Sequence, residues 1–143
     1  MSPAGQNNLL RSVAAVLVGL VAIFVLDIGT DDVLRAVGIF PAIEFSTPKD
    51  LRLSDLSYVL APIYRAVYAI IGCYITARLA PGRPMQHALG LGLIGVVLNT
   101  AGALEIRKLG PEFGPLWYPV TLILISLPCA WIGGKLVREP VKT

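Results

Sequence analysis

The chain has 143 residues, enough for one domain, and 55% of them are hydrophobic while only 15% are charged. An average soluble domain has about 25% charged residues, so too few polar side chains are present to cover a soluble surface. The basic residues lie at the ends of apolar runs, which excludes the clustered footprint of a nucleic-acid-binding protein. We therefore predict a single transmembrane domain over residues 1–143, with the lipid bilayer as its solvent and no nucleic-acid partner.

Four apolar segments are long enough to cross a membrane as α-helices, which takes about 20 residues each. They cover residues 9–28, 57–79, 85–104 and 116–136. The first segment ends at Ile28 without the small residues of a signal-peptide cleavage site, so we interpret it as an uncleaved helix. The predicted fold is all-α, an integral membrane four-helix bundle.

The first connection, residues 29–55, is the long one. Thr30 followed by two aspartates is typical of a helix start, Gly38 of a helix end, and Thr47-Pro48 of a second start. We predict one or two short helices on the membrane surface here, that is, a short helical extracytoplasmic connection between helices one and two.

The other two connections are short. The turn between helices two and three ends at Pro84, which suits the first position of helix three because its missing N–H costs nothing there. Gly110-Pro111 and Gly114-Pro115 separate helices three and four. Trp117 and Tyr118 then belong at headgroup depth, as aromatic belt residues do.

Charge predicts the orientation. Six Lys and Arg residues lie on the side of both tails and the short turn, against five on the other side, which also holds eight of the nine acidic residues. Because short segments weigh most in the positive-inside rule, both termini are predicted to be cytoplasmic.

Arg65 is the charge that a membrane makes most expensive. It lies roughly 13 Å into helix two at 1.5 Å per residue, where an arginine costs about 2.5–3.5 kcal/mol. We hypothesise that it pairs with Asp27 at the outer end of helix one, with Asp31 one turn beyond. The carbonyl of Tyr58, freed by Pro62, is a second candidate partner. The alternatives are an unpaired Arg65 that snorkels outward along lipid, or a role in ligand binding.

Small and polar residues repeat at a 3.5-residue period along helix three. They are Ala88, Gly92, Gly95, Asn99 and Gly102. Small residues let helices approach closely in lipid, so the pattern predicts a central packing element, with Asn99 in an interhelical hydrogen bond.

Polar side chains concentrate in the outer half of the predicted bundle, whereas the inner half is almost wholly apolar. They are Asp27, Tyr58, Tyr64, Arg65, Asn99, Thr100 and Glu105. We predict a polar vestibule open to the outside, with Asp27, Tyr64, Arg65 and Asn99 as its candidate cluster. A continuous pore is not expected.

No catalytic, cofactor or metal site is predicted. His87 is the only histidine, and no other ligands have a suitable spacing to it. Serine, histidine and carboxylate residues lie at opposite membrane faces, so no hydrolytic triad is expected. Cys73 and Cys129 fall inside apolar runs and are interpreted as packing residues. The chain is therefore not expected to be an enzyme.

Several short motifs in the last half of the chain are similar to those of a known group. They are Tyr64-Arg65, Tyr68, Ala77-Arg78-Leu79-Ala80-Pro81, Arg83-Pro84-Met85, His87-Ala88-Leu89, Trp117-Tyr118-Pro119 and Ala130-Trp131-Ile132-Gly133-Gly134. In them the chain resembles a group of small four-helix bacterial membrane proteins with no established function. The resemblance implies a bacterial inner membrane and brings no binding residues.

Two functions remain open from the sequence. The first is a non-enzymatic binding or interaction module whose outer vestibule meets a small ligand or a partner protein. The alternative is a small transporter or channel subunit that works as a homo-oligomer. The small multidrug transporters have a similar size and helix count, but their membrane-embedded glutamate in helix one has no counterpart here, only Asp27 at the outer rim.

Overall fold

The computed structural model describes residues 3–40, 55–109 and 115–137, and every regular element in these ranges is an α-helix. The four helices are α1 (Pro3–Ala36), α2 (Asp55–Leu79), α3 (Pro84–Leu109) and α4 (Trp117–Lys135). Each is long and apolar enough to cross a membrane. The predicted all-α class and the four apolar helices are confirmed.

The first helix is longer than predicted. α1 runs unbroken through Gly29 and the acidic residues after it to Ala36, so the predicted end at residue 28 is wrong. A glycine inside a helix costs only about 1 kcal/mol relative to alanine, which a helix of 34 residues tolerates. The rest of the predicted connection, including the second helix start at Thr47, lies outside the described residues.

Gly38 ends this helix as predicted. Its φ of +77° is the left-handed conformation that glycine adopts without a steric penalty. The backbone N–H groups of Ile39 and Phe40 both donate to the carbonyl oxygen of Leu34, at 2.9 and 3.0 Å. The reversal places Phe40 in the interior, where only 3% of it is exposed.

The remaining helix ends lie close to their predicted positions, with one exception. α2 ends at Leu79 and α3 begins at Pro84, both as predicted. α3 continues to Leu109, five residues beyond its predicted end. The breakers at Gly110 and Gly114 lie outside the described residues.

Small residues set the closest helix contacts. A Cβ on Gly19 of α1 would collide with the hydroxyl of Thr76 and lie 2.5 Å from the carbonyl oxygen of Gly72 on α2. A Cβ on Gly133 of α4 would lie 2.7 Å from the carbonyl oxygen of Ile70. Glycine at these positions therefore lets α1 and α4 each approach the backbone of α2, as small residues do between helices in lipid.

The helices pack in an uneven arrangement. α2 packs against all three others, and α3 packs mainly on α4, while α1 and α4 share almost no direct contact among the described residues. The central position predicted for α3 is therefore held at least equally by α2. One buried cluster lies near the start of α2 and the other near its end. They comprise Phe40, Tyr58, Ala61, Tyr118 and Leu122, and Cys73, Ala77, Ala88, Leu91 and Ala130.

Candidate functional site

Arg65 and Asp31 face each other because α1 and α2 are antiparallel. Two contacts fix this direction: Ser57 near the start of α2 reaches Ile39, and Thr76 near its end reaches Ala15. Helical side chains lean toward the N-terminus of their own helix. Arg65 therefore leans toward the beginning of α2, and Asp31 leans the opposite way, so that the two side chains meet between the helices.

The Arg65 guanidinium joins three helices. Its Nη2 lies 3.0 Å from Asp31 Oδ2 on α1, and its Nη1 donates to the Tyr118 hydroxyl on α4 at 2.9 Å. The Tyr64 hydroxyl donates to the other carboxylate oxygen of Asp31. We call Asp31, Tyr64, Arg65 and Tyr118 the Arg65 cluster. It links α1 to α4, which otherwise barely touch.

The hypothesis that Arg65 pairs with Asp27 is wrong, because the ion pair is with Asp31. The continuation of α1 is the reason: Asp31 stays helical, four residues after Asp27, and so lies on the same face one turn nearer the helix end. Asp27 Oδ1 and Arg65 Nε are both buried, and neither has a hydrogen-bond partner among the described residues.

The Arg65 ion pair is only partly buried. Its side chain is 29% exposed and that of Asp31 15%, so both charges retain some access to the surroundings. The guanidinium leans toward the beginning of α2, as a snorkelling arginine does, and finds its partners there. The alternative of an unpaired Arg65 that snorkels along lipid is therefore wrong, because the guanidinium is paired with Asp31.

Aromatic side chains surround the cluster. The Tyr58 ring packs edge-on against Tyr118 with centroids 5.4 Å apart, and Arg65 Cζ lies 5.9 Å from the Tyr64 ring centroid. The Tyr68 hydroxyl shares a 2.8 Å hydrogen bond with Thr30, one residue before Asp31. These contacts hold both sides of the ion pair in position.

Asn99 does not join the Arg65 cluster. Its Nδ2 donates to Ser126 Oγ at 3.2 Å, and that hydroxyl donates to the carbonyl oxygen of Leu122. This contact ties α3 to α4, in the interhelical role foreseen for Asn99. Thr100 bonds within its own helix, and Glu105 pairs with Lys108 on an exposed surface. The polar site is thus narrower than the predicted vestibule.

The small-residue stripe lies against α4 over most of its length. A Cβ on Gly92 would lie 2.5 Å from the Ala130 Cβ, and one on Gly95 would lie 3.6 Å from Ser126 Oγ. Ala88 is fully buried at the same face. Gly102 is exposed, with nothing within 4 Å of a Cβ at that position. This last residue of the stripe therefore does not contribute to the packing surface.

Tyr118 is the member of the Arg65 cluster that the sequence did not predict. The sequence predicts headgroup depth for it beside Trp117, yet it is only 9% exposed, whereas Trp117 is 47% exposed. A signal existed: Tyr118, Leu122 and Ser126 recur every four residues, and the structure buries all three on one face of α4. The tyrosine begins the buried stripe of the helix.

Neither a candidate metal site nor a similar known protein helps to interpret the Arg65 cluster. Within the described ranges, no three His, Cys, Asp or Glu side chains are grouped to hold a metal ion. No family model matches the chain, and no curated protein or solved structure matches it at a significant level. Its interpretation therefore depends on the geometry of the Arg65 cluster.

Proposed function

We propose that the chain is a multi-pass protein of a bacterial inner membrane that acts by binding, not by catalysis, through the Arg65 cluster. In this proposal both termini are cytoplasmic, and the cluster and the connection between α1 and α2 face the extracytoplasmic side. The ligand would be a small polar molecule or a membrane protein partner. The resemblance of the sequence to small bacterial membrane proteins and its charge distribution support this placement.

Exposed apolar side chains support the membrane as the solvent. Leu17, Val21, Phe24 and Val25 of α1 are between 47% and 63% exposed, and the other helices carry similar residues. Monomeric soluble proteins rarely expose contiguous apolar patches larger than a few hundred Å². Lipid covers such faces without a cost in free energy.

The depth of the cluster supports access from outside. At 1.5 Å per residue, the 19 residues of α4 span about 28 Å, close to the thickness of about 30 Å of a bilayer hydrocarbon core. Tyr118 is the second residue of this helix, so its hydroxyl and the guanidinium that it binds would lie near the outer boundary of the core. Polar groups at that depth can meet solutes or headgroups.

The choice of binding over transport rests on the position of the ion pairs, which among the described residues all lie at one end of the bundle. At the opposite end, Gly19, Gly72 and Gly133 bring the helix backbones together. The buried Thr76 hydroxyl there donates to the carbonyl oxygen of Ala15 and so presents no free polar group. A solute crossing between these helices would have to separate them.

Cysteine accessibility tests the proposal. In a background without the native cysteines, Thr30→Cys, beside the cluster, should react with a membrane-impermeant thiol reagent from the outside only. Ala88→Cys, at the closed end, should react from neither side. Liposomes that contain the wild-type protein should show no proton-coupled flux. Flux, or labelling of residue 30 from both sides, would contradict the proposal and favour an oligomeric transporter.

A further inference from the structure

Asp27 is the carboxylate of this region that lacks a charged partner. Within the described ranges, Asp31 pairs with Arg65 and Asp32 pairs with Arg35, whereas Asp27 makes no ion pair. It lies one helical turn before Asp31, on the same face of α1. If both Asp27 and Asp31 were ionised, two carboxylates would share one guanidinium and the region would carry a net negative charge.

The surroundings of Asp27 disfavour that charge. Its Oδ1 is buried without a hydrogen-bond donor among the described residues. The Tyr64 hydroxyl of the Arg65 cluster already donates its proton to Asp31. A carboxylate with a buried oxygen and no ion pair is normally neutralised by a proton or by a cation. Among the described residues, no lysine or arginine forms an ion pair with Asp27.

We propose that Asp27 is a proton-binding site and is held as the neutral carboxylic acid in the resting protein. The proposal rests on the membrane placement proposed above and assigns a ligand to the same polar end. A proton from the outer aqueous phase forms an O–H bond with a carboxylate oxygen, and no other bond changes. Asp31 and Arg65 then balance each other, and the region carries no net charge.

Proton occupancy would control where Arg65 binds. When Asp27 is neutral, the guanidinium is held by Asp31 and Tyr118. Loss of the proton creates a second carboxylate about 6 Å from Asp31 along the axis of α1, toward its beginning. The Arg65 Nε is buried without a partner among the described residues and can donate to it. Deprotonation should therefore weaken the contact of Arg65 with Asp31 and with it the link between α1 and α4.

The groups that face Asp27 come from three helices. They are Asp31 from α1, Arg65 from α2 and Tyr118 from α4. The charged residues near the end of α3, Glu105, Arg107 and Lys108, are exposed. Asp31 repels the ionised form of Asp27, and Arg65 attracts it but is already engaged by Asp31. A proton on Asp27 removes the repulsion from Asp31 and leaves Arg65 paired with Asp31.

Infrared spectroscopy of the full chain in lipid nanodiscs tests the proposal. Aspartate would be labelled with ¹³C at its side-chain carboxyl carbon, so that protonated aspartate gives an isotope-shifted carboxylic acid band. We expect this band at neutral pH in the wild type, its loss in Asp27→Asn, and its retention in Asp32→Asn, whose side chain is exposed and paired. In Asp27→Glu the isotope-shifted band should also be lost, because glutamate carries no label.

Three results would overturn the proposal. The first is a wild-type spectrum without a protonated aspartate band at neutral pH. The second is a band that persists in both Asp27→Asn and Asp27→Glu, since another carboxyl group would then carry the proton. The third is a band that appears only when sodium is replaced by choline, which would assign the site to a metal cation. None of these results bears on the labelling of Thr30→Cys, so the two proposals can fail separately.

Discussion

Arg65 illustrates how a membrane protein can hold an arginine at depth without leaving it unpaired. Its Cα lies ten residues after the first residue of α2, about 15 Å along the axis at 1.5 Å per residue. The long side chain carries the charge back toward the beginning of the helix, where Asp31 and Tyr118 receive it. The cost of burying the charge is thereby offset by two charge-assisted contacts.

A double-mutant cycle should identify the partner of Arg65. The Arg65→Leu and Asp31→Leu substitutions should be non-additive by about 1–3 kcal/mol, because each removes the same ion pair. The cycle of Arg65→Leu with Asp27→Leu should give a clearly smaller coupling energy. Unfolding by SDS in mixed micelles gives the free energies. A larger coupling to Asp27 than to Asp31 would contradict the observed pairing.

The hydroxyl of Tyr118 should matter to stability although the residue begins a helix. Tyr118→Phe removes an acceptor from the guanidinium, and a hydrogen bond to a charged group contributes about 1.5–3 kcal/mol. Tyr74→Phe on α2 is the matched control, since no hydrogen bond of its hydroxyl is seen among the described residues. The same unfolding measurement should show a loss for the first variant and little change for the second. Equal losses would argue against a specific role for the hydroxyl.

At the scale of the helices, α1 shows what hydropathy can and cannot predict. The apolar run ends at Ile28, and this loss of hydrophobicity predicts a helix end there. The backbone continues to Ala36 because neither Gly29 nor the aspartates after it stop a helix, whereas Gly38, in its left-handed conformation, does. Hydropathy predicts where the apolar segment ends. The helix itself ends where the backbone conformation changes, at Gly38.

The contacts between helices were only partly predictable. The period of small residues on α3 identified a packing face, because close approach needs small side chains whatever the partner. The partner itself required the fold: Gly92 meets Ala130 on α4, while Gly102, in the same stripe, meets nothing within 4 Å. The Arg65 cluster likewise depends on the rotation of α4 about its own axis, which buries Tyr118 and exposes Trp117.

Two glycines of α1 should respond in opposite ways to the same substitution. Gly19→Ala places a Cβ against Thr76 and the Gly72 carbonyl oxygen, so it should force α1 away from α2 and destabilise the bundle. Gly29→Ala has nothing within 4 Å and should be neutral, or stabilising by up to about 1 kcal/mol through helix propensity. Thermal unfolding in detergent compares them. Similar melting temperatures would mean that the α1–α2 contact is not close in the membrane.

At the scale of the whole molecule, the proposed orientation depends on a small difference in charge. The six Lys and Arg residues assigned to the cytoplasmic side exceed the opposite side by one. Two of the six, Arg78 and Arg83, flank the short turn between α2 and α3, where basic residues weigh most in the positive-inside rule. Both are exposed and no ion pair of either is seen among the described residues, so their removal should leave the packing intact.

The Arg78→Ala, Arg83→Ala double variant should therefore insert in both orientations. It leaves four basic residues against five, which reverses the bias without touching an apolar segment. A cysteine at Val37, exposed just after the end of α1, should react with an impermeant thiol reagent in intact cells when the two arginines are present. In the double variant only part of the protein should react, until the cells are permeabilised.

The control is Arg107→Ala with Lys108→Ala, which removes basic residues from the opposite side and should leave the single orientation unchanged. Uniform labelling of the double variant from the outside would show that features other than the turn fix how these four helices are threaded.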